Sequence, residues 1–420
     1  MFGVFLVLVF AAVLIGVMVA AGVYAKGSNL PWAILAGYFL RPLLQLVTRE
    51  VQLFSHEVGG DWFHYSMLAR DVSFVWETEG FHYVTAEEVP DLGSTSLPSN
   101  LFALVLYVSD DITFRFACTA LIAFSAALTV INLFSLAVEF GAPRGQAAFF
   151  ALLFYFQPAF LFYTADMFKD GLVLCFIVGA LGSALRLSRR FSIIHAAVGV
   201  LCLFALWQVR FYLVFIASVT LLIGIMGVGA KQSWIRTVLA VGLLGLSVLF
   251  LGLYSTVFDT AAERMNETFV GGTAVDTIKG NAIGGSAVAF DDGGNPFGAI
   301  HLKILYTLFS PFPWSGGSIG LQLGKLDAFI FYYVIYRAVR AVRTADKQLV
   351  WMLGTFIVPC TVMYATSMAN VGLIVRQRLV IVAAMFILAA VYVPKPVEKL
   401  KSAKDLLLER VREANRARFS

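Results

Sequence analysis

From Phe2 to Ala25 the chain contains no Asp, Glu, Lys or Arg, and comparable apolar runs recur along most of its length. A helix of roughly 20 apolar residues crosses ~30 Å of hydrocarbon with every backbone N–H and C=O paired within itself. A chain assembled from such runs folds as a polytopic, all-α transmembrane bundle. Composition agrees, because only 14% of the 420 residues are charged, where a soluble domain has about a quarter. The 38 Phe, 15 Tyr and 7 Trp exclude disorder, since they bury more surface than ordering the chain costs. Cys118, Cys175, Cys202 and Cys360 all lie in apolar runs without a CxxC pair. They read as packing residues rather than as a zinc site or disulfide framework.

About eleven spans are expected: Phe2 to Ala25, Leu30 to Val47, Thr113 to Phe140, Ala147 to Tyr163, Phe168 to Leu187, Ile193 to Gln208, Phe211 to Gly229, Arg236 to Phe258, Ser318 to Tyr336, Leu349 to Ser367 and Leu373 to Val393. Arg41 and Pro42 interrupt the second, which reads either as a span or as a re-entrant or interfacial helix. Phe2 to Ala25 lacks the positively charged start of a secretory signal and reads as a retained helix. Leu97 to Val108 and Ile300 to Trp314 are apolar but too short to cross.

Lys and Arg in short connections mark the cytoplasmic side. Here they fall in alternate connections, at Arg144, at Arg186, Arg189 and Arg190, at Lys231 and Arg236, and at Arg337, Arg340, Arg343 and Lys347. The tail from Lys395 to Ser420 carries eight Lys/Arg against four acids and belongs to the same side. With Val397, Leu400, Leu407 and Val411 at helical spacing, residues 394–420 read as a basic amphipathic helix on an anionic inner leaflet. Residues 1–393 then form the transmembrane domain, with extracytoplasmic loops at 55–111 and 259–301. Ten acids stand against Arg70 in the first, and six against Arg264 and Lys279 in the second. Eight glycines between Gly271 and Gly298 fit either a lid over a site or a plain connector.

Ionisable groups at the membrane are costly unless paired or functional, and in this topology they gather on the outer side. Asp61, His64 and Tyr65 stand at i, i+3 and i+4, a spacing that shares one helix face. Asp166, Lys169 and Asp170 occupy an outer hairpin, Arg210 the next one, and Arg376 and Arg378 the outer end of the last span. A carboxylate there can act as general base on an acceptor hydroxyl, while fixed cations hold a departing phosphate or diphosphate. That combination is the chemistry of sugar transfer from a lipid-linked donor. Each group also has a structural reading. Asp61 can cap its helix, the Asp166, Lys169 and Asp170 set can brace a hairpin, and Arg376 and Arg378 can snorkel to headgroups.

The Gly60-Asp61-x-x-x-Tyr65 segment in the first outer loop, the aromatic-rich bundle, Lys169-Asp170 at the start of a middle span, and the Arg376-x-Arg378 pair resemble the polyprenyl-phosphate-dependent glycosyltransferases of the GT-C superfamily. They are similar also to the polytopic polymerases of bacterial surface polysaccharide. The resemblance implies Asp61 as catalytic base, and the residues themselves read His64, Tyr65, Asp166, Lys169, Asp170, Arg210, Arg376 and Arg378 as substrate or phosphate ligands. No cofactor is required by these residues, and a divalent cation, Mg or Mn, is the one left open. This chain departs from many GT-C enzymes in lacking a paired acid and a large soluble C-terminal domain.

The expected activity is transfer of sugar units on the outer face of a bacterial inner membrane, in assembly of a surface polysaccharide or glycoconjugate. The implied partners are a lipid-linked sugar donor, a saccharide or glycoconjugate acceptor, membrane lipids and polysaccharide-assembly proteins, with no nucleic acid. Two other classes compete. A transporter or flippase of lipid-linked anions would spread its charges through the membrane depth. A non-catalytic subunit of a synthase complex would tolerate Asp61→Asn and Arg378→Ala.

Overall fold

A computed structural model describes residues 2–24, 28–50, 61–93, 95–109, 113–227, 288, 290, 297–316, 319–366 and 370–393. Among the described residues the chain is all-helical and no strand occurs. The helices are α1 (Phe2–Ala20), α2 (Leu30–Glu50), α3 (Asp61–Glu79), α4 (Ser96–Val108), α5 (Phe114–Glu139), α6 (Arg144–Phe156), α7 (Pro158–Phe162) and α8 (Asp170–Arg189). They continue as α9 (Ile193–Arg210), α10 (Tyr212–Met226), α11 (Ile300–Phe309), α12 (Ile319–Ala341), α13 (Lys347–Thr366), α14 (Val371–Gln377) and α15 (Leu379–Val391). The expected span Arg236 to Phe258, most of the glycine-rich segment and the basic tail lie outside the described residues.

Six of these helices are long and apolar enough to cross a membrane: α1, the Leu30–Val47 part of α2, α5, α8, α9 and α13. The pair α14 and α15, bent by 50°, makes a seventh if the two count as one span. Among the described residues, length and apolarity therefore support fewer crossings than the runs expected there, for local reasons. Pro158 holds Gln157 in extended backbone (φ −61°, ψ 139°), so the run from Ala147 to Tyr163 breaks into α6 and α7. Gly227, in the left-handed region at φ 67°, caps α10 after 15 residues, a rise of about 22 Å. Within α12, Lys325 and Asp327 interrupt the apolar sequence. By contrast α2 runs on past Arg41 with Pro42 inside it.

The middle of the bundle is α5, α8 and α15. In the apolar window of α8, 78% of residues are buried inside the protein, and 67% in α5, against 28% in α1 and in α9. The last two thus offer most of their side chains to lipid. Helix α15 packs on α5, α6, α8, α12 and α13, and α8 on α9 and α10. Small residues set that closest approach. A Cβ on Gly224 of α10 would run into the Ala184 carbonyl of α8, whereas Gly16 of α1 faces open space. Gly224→Ala is expected to destabilise by about 1–3 kcal/mol, seen as a lower unfolding midpoint in detergent, with Gly16→Ala causing no such fall.

A second apolar cluster sits at one end of the bundle. Val72 and Trp76 of α3 pack with Phe102 of α4, with Phe114 at the start of α5, and with Met167 and Leu172. The α3/α4 pair therefore covers the end at which α5 and α8 begin, and holds the first residue of α3, Asp61, beside the first residue of α8, Asp170.

Candidate functional site

Four segments far apart in sequence meet at this covered end. Asp61 opens α3, Asp170 opens α8, Arg210 closes α9, and Arg376 lies on α14. Asp170 stands in the first turn of α8, where a helix favours negative charge. Asn370 starts α14 by accepting hydrogen bonds from the Gly372 and Leu373 N–H groups (2.8 and 3.3 Å). The cap and the bend that follows it aim Arg376 at the carboxylates.

Arg376 joins the cluster together. Its Nε donates to Asp170 Oδ2 at 2.6 Å, and its Nη2 lies 2.5 Å from Asp61 Oδ2. The N–H bonds of that Nη2 do not align with a hydrogen-bond acceptor, so the contact with Asp61 is an ion pair without a directed hydrogen bond. Arg210 Nη2 donates to the other Asp170 oxygen at 3.1 Å. Asp170 is thereby consumed by two guanidinium groups and is 3% exposed, whereas the Asp61 carboxylate is 43% exposed and open to a ligand. The Tyr163 and Phe168 rings flank Arg376, 5.4 and 5.5 Å from its guanidinium carbon.

Lys169 sits just ahead of α8, outside the span, half-buried and without a side-chain hydrogen bond or ion pair among the described residues. Burial, then the neighbouring Arg210, pushes its ammonium down to about 8. Tyr65 is buried, and burial followed by the Asp61 charge holds its phenol above the ordinary value, so it stays protonated. Tyr65, one turn after Asp61, points inward beneath it. His64, expected on the same face, is exposed instead, its ring 5.7 Å from that of Tyr65.

The remaining expected residues face other partners. Asp166 accepts two hydrogen bonds from Arg115, from Nε at 2.9 Å and from Nη2, and a third from the Met167 N–H at 2.8 Å. Arg115 in turn lies 3.7 Å from the Trp62 ring centroid. Asp166 thus ties the start of α5 to α3 and to the hairpin before α8. Arg378 turns away from Arg376 across the bend. It is fully buried, pairs with Asp327 of α12 at 3.3 Å and donates to the Ser310 carbonyl. Asp327 also accepts from the Ala159 N–H at 3.2 Å.

Arg115 and Asp327 were not singled out in the sequence, though an acid within an apolar run is a readable signal for Asp327. Arg41 shows only as an interruption there, yet it is fully buried. It donates to the Thr164 hydroxyl (2.6 Å) and to the Gly37 and Tyr155 carbonyls (2.8 and 2.9 Å), with its guanidinium 4.0 Å from the Tyr155 ring centre. Among the described residues, Asp61, Asp166 and Asp170 form no group able to share a metal ion. Comparison with protein-family models, with curated proteins and with solved structures finds no match.

Proposed function

We propose that this chain is an integral membrane glycosyltransferase of GT-C or polysaccharide-polymerase type. It moves sugar units from a polyprenyl-phosphate or polyprenyl-diphosphate donor on the extracytoplasmic face of a bacterial inner membrane. The observation that carries this reading is the meeting of Arg210, Arg376 and Lys169 with, among the described residues, only Asp61 and Asp170 between them. Three cations facing two carboxylates at the mouth of a bundle favour an anionic ligand. The proposed topology has about eleven spans, with loops 55–111 and 259–301 outside and residues 394–420 inside.

In this mechanism the donor phosphate draws Arg376 away from Asp61 and frees its carboxylate. Asp61 then takes the proton of an acceptor hydroxyl. The acceptor oxygen bonds to the anomeric carbon, and the bond from that carbon to the phosphate oxygen breaks with its electron pair leaving on the phosphate. Arg376, Arg210 and Lys169 neutralise the charge that develops there. A divalent cation would have to be brought by the diphosphate itself, because the carboxylates at this site are already held by arginines.

The test is transfer from a synthetic prenyl-phosphate or prenyl-diphosphate sugar by the purified chain in lipid. Product formation supports the proposal, and its absence with a panel of such donors and acceptors defeats it. Lys169 adds a pH signature. Its positive charge is present below its shifted value and lost as pH rises through about 8. Prenyl-phosphate affinity is expected to fall about 10-fold across that range, the worth of one charge-assisted hydrogen bond. Lys169→Ala should flatten the profile, and an affinity independent of pH in the native chain would exclude Lys169 as a phosphate contact.

A second reading, transport of a lipid-linked anion, is favoured by one specific observation. Arg41, Lys303, Asp327 and Arg378 are buried inside the bundle, so charge is not confined to its end. Movement of a labelled prenyl-phosphate across sealed vesicles without product formation would select it.

A further inference from the structure

At the end of α3 opposite to Asp61, Glu79, His82 and Glu88 bring one ligand atom each within 4.8 Å of one another. Eighteen residues of helix separate this group from Asp61, about 27 Å at the α-helical rise. It is therefore independent of the site described above and of the function proposed for it.

Contacts from outside the group hold two of its members. His82 Nδ1 lies 2.8 Å from the Gly80 carbonyl, which can only accept, so Nδ1 carries a hydrogen and Nε2 is the nitrogen turned to the group. Nε2 lies 2.5 Å from Glu88 Oε1, an ion pair in which a proton holds the place a metal ion would take. The other Glu88 oxygen accepts the Thr85 N–H at 2.8 Å, and the indole N–H of Trp76 donates to the His82 carbonyl at 2.6 Å. Gly80, at φ 88° where a side chain would be strained, makes the turn that brings His82 back toward Glu79. An imidazole oriented through its second nitrogen onto a backbone carbonyl is how metal-bound histidines are fixed.

We propose that Glu79, His82 and Glu88 form a Zn²⁺ site, with water in the fourth position. One imidazole and two carboxylates suit this ion. Bonds of about 2.0–2.1 Å in tetrahedral geometry set ligand atoms roughly 3.3 Å apart, so admitting the ion requires His82 and Glu88 to part by less than about 1 Å. Both side chains are partly exposed, at 38% and 30%, and free to do so. The bound ion fastens the last residue of α3 to the segment leading into α4. It acts as a staple for the α3/α4 pair, remote from the reacting groups.

The experiment uses the full chain in lipid nanodiscs, stripped with a chelator, desalted and titrated with Zn²⁺ alone by calorimetry. Hydrogen exchange of the amides in 80–93 is followed alongside. One saturable Zn²⁺ per chain and slowed exchange in that segment are expected, with His82→Ala weakening binding by about 10-fold or more and removing the slowing. Glu88→Gln, which keeps the shape of the side chain, should weaken binding in the same sense. Absence of saturable binding in the native chain, meaning that only a proton bridges His82 and Glu88, overturns the proposal. So do binding and exchange that are unchanged in His82→Ala, which would put the ion elsewhere.

Discussion

Asp61→Asn is expected to lower the rate of sugar transfer from a prenyl-linked donor by ~10²–10⁴-fold, the usual contribution of a general base. The unfolding midpoint should stay where it is. Asparagine keeps the size of the side chain, and the contact it surrenders to Arg376 is a partly exposed ion pair of modest worth, about 0–1 kcal/mol. In the proposed mechanism the loss should appear in kcat, because Asp61 acts on the acceptor proton in the transition state, while the donor KM should be no higher than native, since Arg376 no longer has to leave a carboxylate at position 61. An Asp61→Asn chain that transfers sugar at the native rate would leave the cluster without a base. A chain that unfolds instead would make Asp61 a structural residue.

Arg378→Ala is expected to destabilise the bundle by about 3–5 kcal/mol, because it strands the Asp327 carboxylate in an interior that no longer compensates it. Arg378 is fully buried and Asp327 is 1% exposed, so neither can recover its partner's contribution from water. Asp327→Ala should cost a similar amount for the converse reason. Replacing both, as Arg378→Met with Asp327→Leu, should restore most of the stability, since apolar side chains of similar volume often match a buried ion pair. Reversible unfolding of the four proteins in one detergent gives the coupling directly. A double variant no more stable than either single one would contradict the buried pairing.

The helical class was legible because a lipid-embedded segment has to be apolar on nearly every side, which needs no knowledge of neighbours. The number of crossings was harder to read. Runs such as Ala147 to Tyr163 look continuous in hydropathy, and only the backbone restriction before Pro158 divides them. At the candidate site the ionisable residues themselves stood out against apolar surroundings. Their pairing did not, because it depends on how distant helices pack. Arg376 and Arg378, two residues apart, look equivalent in sequence, yet one reaches Asp61 and Asp170 and the other Asp327. His64 and Tyr65, adjacent and both polar, likewise divide, one outward and one inward. The partner of Asp166 was hidden for the same reason, since Arg115 lies 51 residues away.

The 50° bend between α14 and α15 places a single residue, Gln377, between the surface-side arginine and the arginine rooted in the interior. The two limbs of the bend are thus moored separately, one to Asp61 and Asp170 and the other to Asp327. A ligand that displaced Arg376 from its carboxylates would thus act two residues from the point where Arg378 is tied to Asp327.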